Sequence, residues 1–137
     1  MSIRSILVVI VAAILYGCAG TPPISKSPLT CNSAEQCKVI VQVVHSTITV
    51  DHDTVEARGF DVVWEITNAS GQSYQFDRNK GIEFKTNAGK QVFNCHVEAS
   101  GNRYKCNNRR DAGQYEYGVT LSGAPAVSPL DPWVVNR

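Results

Sequence analysis

The side chains best suited to chemistry in this 137-residue chain are the imidazoles and carboxylates of His45, Asp51, His52 and Asp53. Such groups are common ligands of zinc and copper. Neighbouring side chains of a strand point to opposite faces, however, so their convergence on one ion would require a turn. A metal-binding protein that uses these four residues is one hypothesis, and a solvated loop is the simpler interpretation. We therefore assign no metal and no other cofactor.

A second candidate is the only dense basic segment of the sequence, which contains Arg103, Lys105, Arg109 and Arg110. Guanidinium and ammonium groups bind phosphate and carboxylate groups, so these residues could hold an anionic ligand. The alternative is a solvated surface whose charge is balanced by nearby carboxylates.

The amino terminus has the pattern of an export signal. An apolar run from Ile6 to Tyr16 follows a start whose one charged side chain is Arg4. The run is too short for a membrane-spanning helix, which needs roughly 17–25 residues, but it suits a signal peptide. The residues Leu15-Tyr16-Gly17-Cys18 resemble the lipobox of bacterial lipoproteins. This resemblance implies cleavage after residue 17, a diacylglyceryl thioether on the sulfur of Cys18, and an acyl chain such as palmitate on the new amino terminus.

The resemblance also implies a location. In the lipoprotein family an Asp directly after the lipidated Cys retains the protein at the inner membrane, and Ala19 occupies that place here. We therefore expect a protein held firmly at the outer membrane by several acyl chains, with its domain facing the periplasm. Residues 18–30 are rich in Pro and Ser and predict a flexible tether, which leaves residues 31–137 as a single domain.

Four further cysteines lie in that domain: Cys31, Cys37, Cys95 and Cys106. An even number of cysteines in an exported chain indicates two disulfides, and four cysteines permit three pairings. Pairing of Cys31 with Cys37 and of Cys95 with Cys106 is the simplest. Each bond would close a short loop and stabilise the fold by about 2–3 kcal/mol.

Short alternating strands separated by turn residues run through the domain. Apolar residues alternate with others from Phe60 to Ile66, which predicts a half-buried strand with Trp64 in the core. Asn87-Ala88-Gly89 predicts a turn, followed by a hairpin of about residues 91–98 and 103–107. About seven such strands predict an all-β, antiparallel β-sandwich or small barrel.

One motif makes the prediction more specific. Asp111-Ala112-Gly113-Gln114-Tyr115-Glu116-Tyr117 resembles the entry to strand F of immunoglobulin-like domains, where Asp-x-Gly-x-Tyr-x-Cys builds the tyrosine corner. The resemblance implies an immunoglobulin-like sandwich with Trp64 as the core tryptophan of strand C. Tyr117 stands where antibody domains place a core cysteine. A shared fold carries no information about function.

Composition excludes one class of partner and offers no catalytic signal. Thirteen Lys and Arg against twelve Asp and Glu give a net charge of +1, whereas nucleic-acid-binding proteins usually carry a basic face. Ser122-Gly123 lacks the flanking residues of a nucleophile elbow. We expect a non-enzymatic, lipid-anchored binding or structural module of the cell envelope. Its expected partners are the membrane, through the anchor, and other envelope proteins or anionic envelope polymers. An inhibitor or adhesion module that acts through loops at the end of the sandwich is a further alternative.

Overall fold

The computed structural model describes residues 26–137. The predicted signal peptide, Cys18 and most of the predicted tether lie outside these residues. Within residues 26–137, no helix has the length and apolar character needed to cross a membrane.

The described chain forms short strands and one helix. In chain order these are β1 (Leu29–Thr30), β2 (Lys38–Val44), β3 (Thr47–Val50), β4 (Thr54–Glu56), β5 (Val62–Ile66), β6 (Gln75–Phe76), β7 (Ile82–Phe84), α1 (Asn87–Val92), β8 (Phe93–Val97), β9 (Arg103–Asn108), β10 (Gly113–Val119), β11 (Leu121–Ser122) and β12 (Trp133–Asn136). The all-β fold class is as the alternating sequence predicts.

Two five-stranded sheets form the body of the domain. The first sheet has the order β1-β4-β12-β10-β7 and the second the order β3-β2-β5-β9-β8, while β11 and β6 form a separate two-stranded pair. The sheets pack face to face. The rings of Phe84, from the first sheet, and Phe93, from the second, are stacked with centroids 4.4 Å apart. The alternation of β5 buries Val62, Trp64 and Ile66 in this shared core.

The sheets are mixed, which corrects the expectation of purely antiparallel sheets. β1 pairs with β4, β4 with β12, and β2 with β5 in parallel. The connections from β1 to β2 and from β3 to β4 pass from one sheet to the other, so each sheet joins strands that are distant in sequence. Such strands are not constrained to the antiparallel pairing that a tight hairpin imposes.

The strand order also differs from an immunoglobulin domain in one respect. The strand of Trp64 lies in the second sheet and the strand of Tyr117 lies in the first. Strands C and F of immunoglobulin domains share a sheet. The two aromatic residues therefore meet across the interior rather than along one layer.

Residues 87–92 form a helix where the sequence predicts a turn and the beginning of a strand. Thr86 caps the helix, because its Oγ1 accepts a 3.0 Å hydrogen bond from the backbone N–H of Gly89. A Thr at this position is a favoured N-cap. The following strand consequently begins at Phe93.

The last residues of the predicted tether are part of the domain. Leu29 and Thr30 form β1, in register with Val55 and Glu56 of β4. The ordered domain therefore begins before the boundary predicted at residue 31. Proline and serine enrichment did not reveal this, because the pairing partner is a distant strand.

The disulfides join the neighbouring cysteines, Cys31 with Cys37 and Cys95 with Cys106. The first closes the connection between the sheets: the N–H of Cys31 bonds to Glu56 in the first sheet, and the carbonyl of Cys37 accepts from Val63 in the second. The second links directly opposed residues of β8 and β9. Of the three pairings that the sequence allows, the structure has the local one.

Candidate functional site

The proposed metal ligands divide between two places. His45 lies in the turn between β2 and β3 with a left-handed φ of 49°. Asp51, His52 and Asp53 lie in the loop after β3, so the whole of that strand separates them from His45. Across residues 26–137, no group of three or more His, Cys, Asp and Glu side chains has the arrangement of a metal site.

The Asp51–Asp53 loop instead makes contacts within the protein. Oδ1 of Asp51 accepts a 2.9 Å hydrogen bond from the backbone N–H of Ile40. Nδ1 of His52 lies 2.9 Å from the carbonyl oxygen of Ser27. The ammonium group of Lys26 bonds to the carbonyl of Val50 and lies 4.0 Å from a carboxylate oxygen of Asp53. This loop therefore fastens the first described residues to the domain.

The basic residues do not form one cluster. Arg103 lies between Glu65 and Glu98, at 3.6 Å and 3.5 Å from their carboxylate oxygens. Lys105 pairs with Asp61 at 3.3 Å. These partners come from β5, from the turn after β8 and from the segment before β5, and they balance two of the four charges.

Arg109 and Arg110 lie beyond the end of β9 and are exposed. Arg110 has a left-handed φ of 70°, and its aliphatic carbons cover Gly59, where an added Cβ would lie 3.1 Å from Cγ of the arginine. An anionic ligand would therefore meet these two arginines rather than all four predicted residues.

The tyrosine-corner motif has the predicted local geometry. The hydroxyl of Tyr115 donates to the backbone carbonyls of Asp111 and Ala112, at 3.3 Å and 3.2 Å. Gly113 permits this approach, because a Cβ there would lie 2.8 Å from the same hydroxyl oxygen. The motif thus turns the chain into β10 and is structural.

A buried amide network was not anticipated from the sequence. Asn136 and Asn108 exchange two reciprocal side-chain hydrogen bonds of 3.0 Å. Oδ1 of Asn136 also accepts from the N–H of Gly59 at 2.8 Å, and its Nδ2 donates to the carbonyl of Asp111 at 2.7 Å. Asparagine is usually exposed, so a sequence offers no signal that this one holds three segments together.

A cleft of about 290 Å³ lies beside the turn between β8 and β9. Its lining is mostly polar and small: Gln75, Phe76, Arg78, Val97, Glu98, Ala99, Ser100 and Gly101. Tyr104 approaches the same region, and its hydroxyl donates to the carbonyl of Arg78 at 3.3 Å. Burial raises the pKa of Tyr104, which keeps the phenol protonated as a donor. The cleft could accept a small polar group, and it lacks the predominantly apolar lining of typical ligand pockets.

An exposed tryptophan lies on the outer face of the first sheet. Trp133 is 43% exposed. Its register places it between Glu116 of β10 and Thr54 of β4, so β12 is an interior strand of the sheet. The backbone N–H of Trp133 donates to the backbone carbonyl of Asp53 at 3.0 Å. The backbone of Trp133 therefore lies beside the loop that holds Lys26.

An ion pair lies next to this tryptophan. The ammonium group of Lys85 crosses over Gly118 to reach the carboxylate of Asp131 at 2.9 Å. The hydrogen bond to Asp131 raises the pKa of Lys85. The surface around Trp133 consequently carries charges of both signs.

Comparison with known proteins assigns no family. The sequence matches no protein-family model, and no curated protein shows significant similarity to it.

Proposed function

We propose that this chain is a lipid-anchored protein of the bacterial cell envelope, attached at Cys18 and acting as a binding or structural module without catalysis. The outer membrane is its proposed location, with the domain facing the periplasm. The lipobox at residues 15–18 supports the anchor, and the short distance to the domain supports its use as an attachment point.

The observation that carries the proposal is the fixed entry of the chain into the domain. Lys26 and Ser27 contact the Asp51–Asp53 loop, Leu29 and Thr30 pair with β4, and a disulfide begins at Cys31. The segment next to the proposed anchor is thus held by side-chain contacts, backbone pairing and a covalent bond. This arrangement suits a domain that is retained at a surface through its amino terminus.

Two features favour binding or structural support as the role of the domain. Several surface charges, among them Arg103 and Lys105, are engaged in ion pairs within the protein. The exposed Arg109 and Arg110 offer a small basic surface for an envelope protein or an anionic polymer. An inhibitor or adhesion module would use the same kind of exposed loop.

The test is the intact mass of the protein purified from bacterial membranes, before and after reduction. We expect a mass that corresponds to residues 18–137 plus acyl chains, rising by the mass of four hydrogens when the two disulfides are reduced. The C18S variant is the matched control and should lose acylation. An unacylated wild-type protein would refute the anchor.

The non-catalytic role has its own test. The purified domain should bind envelope extracts or polymers saturably without converting them. Turnover of an envelope substrate that disappears in a loop variant, but persists in C18S, would contradict the proposal.

A further inference from the structure

The exposed Trp133 lies close to the point where the anchored end of the chain joins the domain. Asp53 connects the two: its backbone carbonyl accepts from the backbone N–H of Trp133, and its carboxylate lies 4.0 Å from the ammonium group of Lys26. Lys26 is the first described residue. Trp133, whose side chain is exposed, is therefore linked to the attachment point through a single residue.

The length of chain before Lys26 limits how far this region can move from the membrane. If Cys18 is lipidated, the segment from Cys18 to Lys26 reaches at most about 28 Å when fully extended. The surface beside Lys26 can therefore lie no farther than about 28 Å from the lipidated residue, and shorter conformations of the segment bring it to the headgroups.

Trp133 has the chemistry that the headgroup region accepts. Indole combines a large apolar ring with one N–H donor, and tryptophan is enriched at membrane interfaces for this reason. The charges near it are of both signs, with Lys26 and Lys85 paired to Asp53 and Asp131. Such a surface suits zwitterionic headgroups. A strongly anionic leaflet would instead attract a surface with unpaired basic residues.

We propose that Trp133 and the adjoining Lys26–Asp53 and Lys85–Asp131 pairs form a lipid-facing surface, with the indole placed among zwitterionic headgroups. This inference rests on the proposed lipid anchor. Docking would orient the domain, so that the outer face of the first sheet near Trp133 turns towards the membrane.

The experiment uses acylated full-length protein in phosphatidylethanolamine and phosphatidylcholine vesicles. Tryptophan emission is read with and without brominated acyl chains. The chain has two tryptophans, and Trp64 is fully buried, so a lipid-dependent change reports Trp133. We expect a blue shift of about 5–10 nm relative to unacylated C18S and at least twofold quenching by bromine, because the indole leaves water for the interface. W133F should show neither effect.

A matched variant carries a tryptophan elsewhere on the domain. Ala99→Trp in the W133F background places the indole in the exposed turn after β8. β8 lies at the opposite edge of the second sheet from β3, the strand whose last residue, Val50, contacts Lys26. Four strand spacings separate these edges, roughly 19 Å. This variant should float with vesicles and remain unquenched.

Four outcomes would overturn the inference. Acylated wild-type protein that floats with vesicles but shows unquenched Trp133 refutes docking and leaves the anchor intact. Equal quenching of the Ala99→Trp variant would indicate contact without a preferred orientation. A blue shift of unacylated C18S on addition of envelope polysaccharide, without quenching of acylated protein by lipid, would assign Trp133 to a sugar. An unacylated mass for the wild type would remove the proposed function and this inference together.

Discussion

The indole N–H of Trp64 donates a 3.0 Å hydrogen bond to the hydroxyl of Tyr117 across the interior of the domain. The two rings meet edge to face with centroids 5.1 Å apart, and both side chains are fully buried. Burial raises the pKa of Tyr117 well above its ordinary value, so the hydroxyl stays neutral. The pair links the second sheet to the first through the most enclosed polar contact of the core.

Replacing Tyr117 by Phe should lower the free energy of unfolding by about 1–3 kcal/mol, because the N–H of Trp64 would be left buried without an acceptor. Urea unfolding followed by Trp64 fluorescence in a W133F background measures the change. The control is Y115F, which removes a hydroxyl that bonds only to backbone carbonyls at 3.2–3.3 Å. A loss in Y117F no greater than that in Y115F would contradict the importance of the Trp64 contact.

Replacing Asn136 by Ala should destabilise the domain by roughly 2–3 kcal/mol. The substitution removes both hydrogen bonds to the amide of Asn108, which keeps its bonds to Phe60 and Arg110. It also leaves the part-buried N–H of Gly59 and the carbonyl of Asp111 without their side-chain partner, and each such loss has a desolvation cost. Thermal and urea unfolding provide the measurement. N94A is the matched control, because Asn94 is exposed and its loss should change stability by less than about 0.5 kcal/mol. Equal effects of the two variants would show that the network contributes nothing.

Asp77 should give the protein an acid-dependent stability increment. Its Oδ1 accepts from the N–H groups of Lys80 and Asn79, at 2.8 Å and 2.9 Å, and these bonds lower its pKa. Because the pKa of Asp77 is lower in the folded protein than in the unfolded chain, its carboxylate stabilises the fold at pH values above the pKa of the unfolded chain. This stabilisation is lost as the pH falls through the pKa of the folded protein.

The D77N variant tests this pH dependence, because it keeps an acceptor but has no charge. The stability difference between wild type and D77N should be constant above about pH 5 and shrink below about pH 4, near the ordinary pKa of aspartate. Urea unfolding at a series of pH values measures it. A difference that stays the same from pH 7 to pH 2 would show that the carboxylate charge has no role.

The two disulfides should stabilise different parts of the domain. Removing either pair, as C31A/C37A or C95A/C106A, should cost about 2–3 kcal/mol of unfolding free energy, because each closes a short loop. Amide hydrogen exchange distinguishes them. Exchange at Leu29 and Thr30 should accelerate in C31A/C37A alone, since Cys31 directly follows β1. A similar acceleration of exchange at Leu29 and Thr30 in C95A/C106A would contradict this, because it would show that the protection of β1 depends only on the stability of the whole domain.

Some features of the site could be predicted because they depend on residues close in sequence. The tyrosine corner needs only the spacing of Asp111, Gly113 and Tyr115, and the disulfides join cysteines separated by 6 and 11 positions. Short loops bring such partners together in almost any fold. The metal hypothesis also relied on closeness in sequence. That closeness was misleading for His45, because the extended strand β3 separates it from Asp51.

The sequence by itself determined the export and lipidation pattern as an expectation, the β-rich class and the burial of Trp64. Only the tertiary structure decided the choice among the three disulfide pairings, the mixed sheets, the balancing of Arg103 and Lys105, the burial of Asn136 and the link from Trp133 to Lys26 through Asp53. The reason is physical: alternation and turn chemistry act within a few residues. The register of Trp133 with Thr54 joins strands that are far apart in the chain, and that pairing is set by how the whole domain buries its apolar surface.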